Sequence, residues 1–213
     1  MTQRSILSAL ALALAALTGA PACALTSKAD ALPIRYFTPD SGSAAPATAR
    51  APAEAGLELR LGRVTSGASL RERIAHRDAA HEVGFYDERR WTARPEGFAR
   101  RRLERALFEE RGLTHVVSGD APILDVDVVS FEELRLPDRH GVRVELHVTL
   151  SDGRRVLYEG TEAVERPLAQ GADIGAIVTE LSRALEVASI DVARRVSAAL
   201  RDRAPTTATA TTR

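Results

Sequence analysis

Ile174, Ile177, Val178, Leu181, Leu185, Ala188, Val192 and Val196 recur at helical spacing along one unbroken face. This is the pattern that most limits the fold. A helix of about 28 residues is roughly 42 Å long at 1.5 Å per residue. An apolar face of that length must lie against a surface of matching length, and a β-sheet provides one. Asp173 stands where the helix starts and is expected to cap it.

The strands to carry such a helix are visible upstream. Leu57, Leu59 and Leu61 alternate with Glu58 and Arg60. Leu124, Val126 and Val128 alternate with Asp125 and Asp127. Val142, Val144, Leu146, Val148 and Leu150 alternate with Arg143, Glu145, His147 and Thr149. Period-two alternation marks strands with one buried and one wet face. Asp152-Gly153 predicts a tight type I′ hairpin into a partner strand from Arg154 to about Glu162. Ile34 to Phe37 is a short strand, and "ERIAHRD" and "EVGFYD" are weaker candidates. A first helix opens at Pro95 with Glu96 in its first turn. Ala99, Leu103, Ala106 and Leu107 form its stripe, with Arg100–Glu104 and Arg105–Glu109 at i,i+4 on its wet side. Gly112 ends it. The pattern predicts an α+β domain: an antiparallel sheet of about four to six strands with two helices on one face, in the order β-β-α-β-β-β-α.

The N-terminus reads differently. One basic residue, Arg4, precedes the apolar run "ILSALALALAAL" and the small-residue segment "TGAPA". That is the layout of a secretory signal, whose apolar part is about 7–15 residues long. Three processing routes fit: a cut after Ala20-Pro21-Ala22, a cut after Ala22-Cys23-Ala24, or lipoprotein processing that leaves Cys23 first. Cys23 is the only cysteine of 213 residues, so it has no internal disulfide partner. Its place at the cleavage boundary favours lipidation, although Ala20 and Pro21 depart from the usual residues before a lipidated cysteine. The expected organisation is a signal peptide over 1–22, a lipidated tether over 23–33, the α+β domain over 34–202 with a flexible 38–56 loop, and a disordered 203–213 tail. Charge is balanced, 29 basic against 29 acidic side chains, which speaks against a nucleic-acid partner.

Catalytic signatures are absent from the sequence, and neither a cofactor nor a metal is expected. His76, His81, His115, His140 and His147 are scattered without ligand spacing. Asp125 and Asp127 share a strand face, where solvated carboxylates are commoner than an acid–base pair. The densest unusual stretch is "GFYDERRWTARPEGFARRRLERALFEERG", residues 84–112. Its Trp91 either plugs the gap between the first helix and the sheet or forms, with Tyr86, Arg89 and Arg90, a contact surface. Aromatic and arginine side chains are enriched at such surfaces.

Several segments occur in an order that resembles a known family. A cysteine follows the signal; then come a "YF" strand, "LELRLGRVTSGASLRERIAHRD", and "YDERRW" leading into "FARRRLERALFEE". The matching elements are Leu70-Arg71, Ile74 to Arg77, Tyr86 to Trp91 and Leu103 to Phe108, and the likeness spans about residues 34–200. It is to the auxiliary lipoprotein components of ABC-type transport systems, which include paraquat-inducible protein C. Two features differ: "SGAS" replaces a proline-bearing segment, and the 38–56 loop is longer. The resemblance implies a periplasm-facing lipoprotein of the outer membrane. Its partners would be an inner-membrane ABC permease and ATPase and an MCE-domain protein, and its task lipid movement between the membranes. A docking module predicts an oligomer or a complex with an MCE protein. The other reading is a periplasmic module that binds a small apolar ligand between helices and sheet.

Overall fold

A computed structural model describes residues 33–39 and 56–203. The signal, Cys23, most of the 38–56 loop and the tail beyond Arg203 lie outside the described residues. The elements all fall in one unit, Ile34–Arg213. They are β1 (Arg35–Phe37), β2 (Glu58–Ser66), β3 (Arg73–Ala79), β4 (Glu82–Trp91), α1 (Pro95–Glu104), β5 (Thr114–His115), β6 (Ile123–Leu136), β7 (Arg139–Ser151), β8 (Val156–Pro167) and α2 (Ile174–Arg203).

The class is α+β, with both helices packed into one core with the sheet. Two features exceed the sequence expectation. The sheet has eight strands rather than four to six: the short strand expected at Ile34 to Phe37 and both weaker candidates pair into it, and β5, at 2 residues, is too short to show a period. It is also mixed rather than antiparallel. β6, β7 and β8 form an antiparallel meander. The opposite edge of β6 is shared by two parallel neighbours, β2 along its first half and β3 along its second. β4 pairs antiparallel with β3, and β1 pairs parallel with β4.

The helix ends follow their sequence signals. The Asp173 carboxylate accepts the Ala176 N–H at 2.8 Å and so caps α2. Its stripe buries Ile177, Leu181, Leu185, Val192 and Val196 in one core with Leu124, Val126, Val128 and the even-numbered residues 142–150 of β7, the helix lying mainly over β7 and β8. α1 runs on into a π-helical turn, Arg105–Glu110. That wider turn brings Arg105 within 3.5 Å of Glu110, five residues on. Gly112, at φ +74°, then reverses the chain, and the Leu113 N–H returns to the Leu107 carbonyl at 3.1 Å.

The β7–β8 turn is not type I′, which needs positive φ at both central residues. Here Gly153 has φ +79°, whereas no described non-glycine residue has positive φ. Asp152 instead accepts the N–H groups of Arg154 and Arg155, each at 3.1 Å, and β8 begins at Val156. In β2, a bulge between Leu61 and Val64 is clasped from both sides. Asp125 accepts the Arg63 N–H at 2.6 Å, and Arg100 donates to the Gly62 carbonyl at 2.7 Å. A Cβ on Gly62 would come within 2.4 Å of the Asp125 carboxylate and 2.6 Å of Ile123, so a larger residue would push both side chains aside and break the Arg63–Asp125 clasp.

Candidate functional site

The stretch that holds Tyr86, Arg89, Arg90 and Trp91 is the second half of β4. Between two pairings with β3, Ala75 with Phe85 and Arg73 with Arg90, β4 carries more residues than β3. The resulting bulge spreads its side chains in different directions. Trp91 turns inward and is 1% exposed. Its ring meets Phe98 of α1 at 6.0 Å and Phe131 of β6 at 5.3 Å, both edge-on. The indole N–H has no hydrogen-bond partner, so the ring is there for its volume. Of the four residues singled out in the sequence, Trp91 is therefore the plug between α1 and the sheet. Tyr86, Arg89 and Arg90 stay together at the half-buried rim.

Tyr86 is anchored from below. Its hydroxyl donates to Glu133 Oε2 at 2.7 Å. Glu133 is only 2% exposed; it also hydrogen-bonds with His140 Nε2 at 2.8 Å and forms an ion pair with Arg135, whose Nε lies at 3.1 Å without hydrogen-bond geometry. His140 Nδ1 lies 3.0 Å from the Ala169 carbonyl, which ties the cluster to the β8–α2 loop. His76 stands edge-on to Tyr86 at 5.4 Å, and its ring lies over Gly84, where a Cβ would come within 2.3 Å. Burial first, and then the hydrogen bond to Glu133 and its charge, push the Tyr86 phenol up to about 12. The ring thus stays a neutral donor in ordinary buffers.

Two guanidinium groups rest on this platform. Arg89 lies 4.4 Å from the Tyr86 ring centre and Arg135 5.0 Å. Arg90 donates from Nη1 to the carbonyls of Tyr86 and Arg89, each at 3.0 Å. Beside them runs β1, with Arg35 opposite Arg89, Tyr36 opposite Arg90 and Phe37 opposite Trp91. Sequence reasoning missed Glu133, His140, Arg35 and Tyr36. The adjacent carboxylates Glu132-Glu133 within an otherwise buried strand are the signal that points to the first.

The remaining polar candidates serve the sheet itself. Asp127 accepts from the Thr65 hydroxyl at 3.0 Å, as Asp125 serves the β2 bulge. His147 lies 3.1 Å from the Thr161 hydroxyl, and His115 stacks on Phe108 at 4.2 Å. Among the described residues no three His, Cys, Asp or Glu converge as metal ligands.

These groups define a two-layer α+β domain whose clearest surface feature is an arginine–tyrosine rim on a buried carboxylate. The sequence matches the model of the ABC-type transport auxiliary lipoprotein component over residues 41–193, and the chain belongs to that family. The fold recurs in a DUF330 protein of Xanthomonas campestris. That structure is 19% identical, with 79% of this chain and 97% of the other covered and a TM-score of 0.66. A second solved structure, of an uncharacterized protein, is 15% identical over 77% of this chain and 99% of its own, with a TM-score of 0.59. Both likenesses are of fold. No curated protein matches the sequence.

Proposed function

We propose that this chain is the docking component of an MCE/ABC-type intermembrane lipid transport system. Cys23 holds it by lipid at the periplasmic face of the outer membrane, and the rim around Tyr86, Arg89 and Arg90 meets the MCE-domain partner. The observation that carries this reading is the family match over residues 41–193, which makes the chain an auxiliary component of ABC-type transport. The rim supports it, because stacked arginines and a tyrosine offer large contact area with directed hydrogen bonds. A ligand site between helices and sheet finds less support. Trp91, Phe98, Phe131 and Leu181 fill that space. The grooves at the far end of α2, of about 470 and 510 Å³, are lined by its last turns, Arg203 included.

The test is affinity purification of the full chain from native envelopes after cross-linking. Permease, ATPase and MCE-domain protein are expected in the eluate. Arg89→Glu with Arg90→Glu should lower recovery of the MCE protein in a variant whose circular dichroism spectrum and melting transition show that it is folded. Absence of all three components would overturn the reading. Normal recovery by a folded double variant would remove the rim from it.

A further inference from the structure

We infer that the β1–β4 edge takes an acidic, extended segment of a protein partner, added as a strand along β1. This deepens the docking reading above and rests on it.

Charges over much of the domain are matched within the chain. Arg77 holds Glu132, Arg102 holds Glu110 and Glu186, Arg143 holds Glu145, and Arg166 holds Glu180. Arg35, Arg89 and Arg90 break that habit. Among the described residues no carboxylate lies in ion-pair range of any of the three. Arg35 and Arg89 are direct register partners, and like charges opposite one another in a sheet repel. Their guanidinium groups are held by other means: Arg35 over Phe37 at 5.5 Å, Arg89 over Tyr86, and Arg90 on two carbonyls. Ring faces and single carbonyls leave paired N–H donors unused, and a carboxylate is the group that takes such a pair. The platform is also fixed before any partner arrives, because Glu133 anchors Tyr86.

The backbone adds a second argument. β1 pairs with β4 on one side, and among the described residues no strand pairs with the other. An open edge of N–H and C=O groups is what an added strand uses. Ile34 and Tyr36, 51% and 65% exposed, flank Arg35 and offer apolar contact beside the charge.

Charge also selects the occupant. The β1 strand of a second copy would bring another Arg35. A flat anionic lipid surface would press on Asp87 and Glu88 of the same β4, and on Glu72, which pairs with Arg94. A single extended segment along β1 runs beside Arg35 and Arg89 on one face and beside Tyr36 and Arg90 on the other, so alternate carboxylates of the segment meet the Arg35–Arg89 pair.

The probe is a fluorescein-labelled peptide of alternating Glu and Val, with a Lys–Val peptide as control, titrated against the full chain in non-ionic detergent. Fluorescence polarisation should show binding of the acidic peptide alone, weakening as salt rises. Arg35→Glu with Arg89→Glu should weaken it by about tenfold or more. Arg35→Gln, which removes a repelled charge without adding one, provides a folded variant that should also bind less. Equal binding of both peptides, or unchanged binding by the variants, would overturn the inference. So would failure to bind peptide together with arginine-dependent sedimentation on phosphatidylglycerol vesicles, which would assign the edge to lipid. If transporter components co-purify but the acidic peptide does not bind, this inference alone falls. If the peptide binds but no components co-purify, the transport reading falls.

Discussion

Glu133 owes its position to one irregular residue step. In β6 the buried residues are even-numbered up to Val128, and a bulge between Val128 and Ser130 then shifts the phase. Phe131 and Glu133 come to stand opposite Val144 and Val142, on the buried face. A carboxylate there needs strong partners, and Tyr86, His140 and Arg135 supply them. Tyr86 reports on this arrangement. Its folded value, about 12, lies above the ordinary 10. The folded state therefore keeps the phenolic proton longer than the unfolded state does. The contribution to stability is complete below about pH 10 and is lost as pH rises towards 12. Melting temperatures of the wild-type chain should fall through that window. Tyr86→Phe, with no phenol to ionise, should show a shallower fall, and identical slopes would refute the assignment.

The long helix is the element on which the sheet depends. Leu181 is fully buried on its inner face, and truncating such a side chain typically costs about 2–5 kcal/mol. Leu181→Ala should lower the calorimetric melting temperature sharply, whereas an unmoved transition would mean that this face is not packed as described. This helix, its Asp173 cap and strands β2, β6 and β7 were legible in the sequence, because each repeats a local period over many residues. The partners of β2 and β3 were not. Parallel pairing joins Arg60 to Ile123 and Ala75 to Glu132 across long intervening chain, and no local pattern specifies it. The rim was half legible. "GFYDERRW" stands out by composition, but which of its residues face inward depends on a bulge set by β3. The contribution of Arg35 appears only once β1 is laid beside β4.

For the molecule as a whole, the proposed function assigns attachment to Cys23, which lies outside the described residues; no described helix is long and apolar enough to cross a membrane. A lipid anchor contributes about 0.8 kcal/mol per buried CH₂, and more than one chain makes it stable. Cys23→Ser should move the full chain from the membrane pellet to the soluble fraction and abolish palmitate labelling. Labelling that survives would transfer the anchor elsewhere. The shared edge of β6 carries one more consequence, and it concerns time. β6 meets β7 across Pro137 and Asp138 alone, so that pairing closes a very short loop. Arg63 meets Asp125 across 62 residues, and Arg77 meets Glu132 across 55. Contacts between distant parts of a chain form late. In a chain made from its N-terminus, β2 and β3 emerge first and wait, unpaired on that side, for a strand not yet synthesised. Closure of this seam is therefore the expected slow step of folding, and refolding followed by stopped-flow should show aggregation, if any, before it closes.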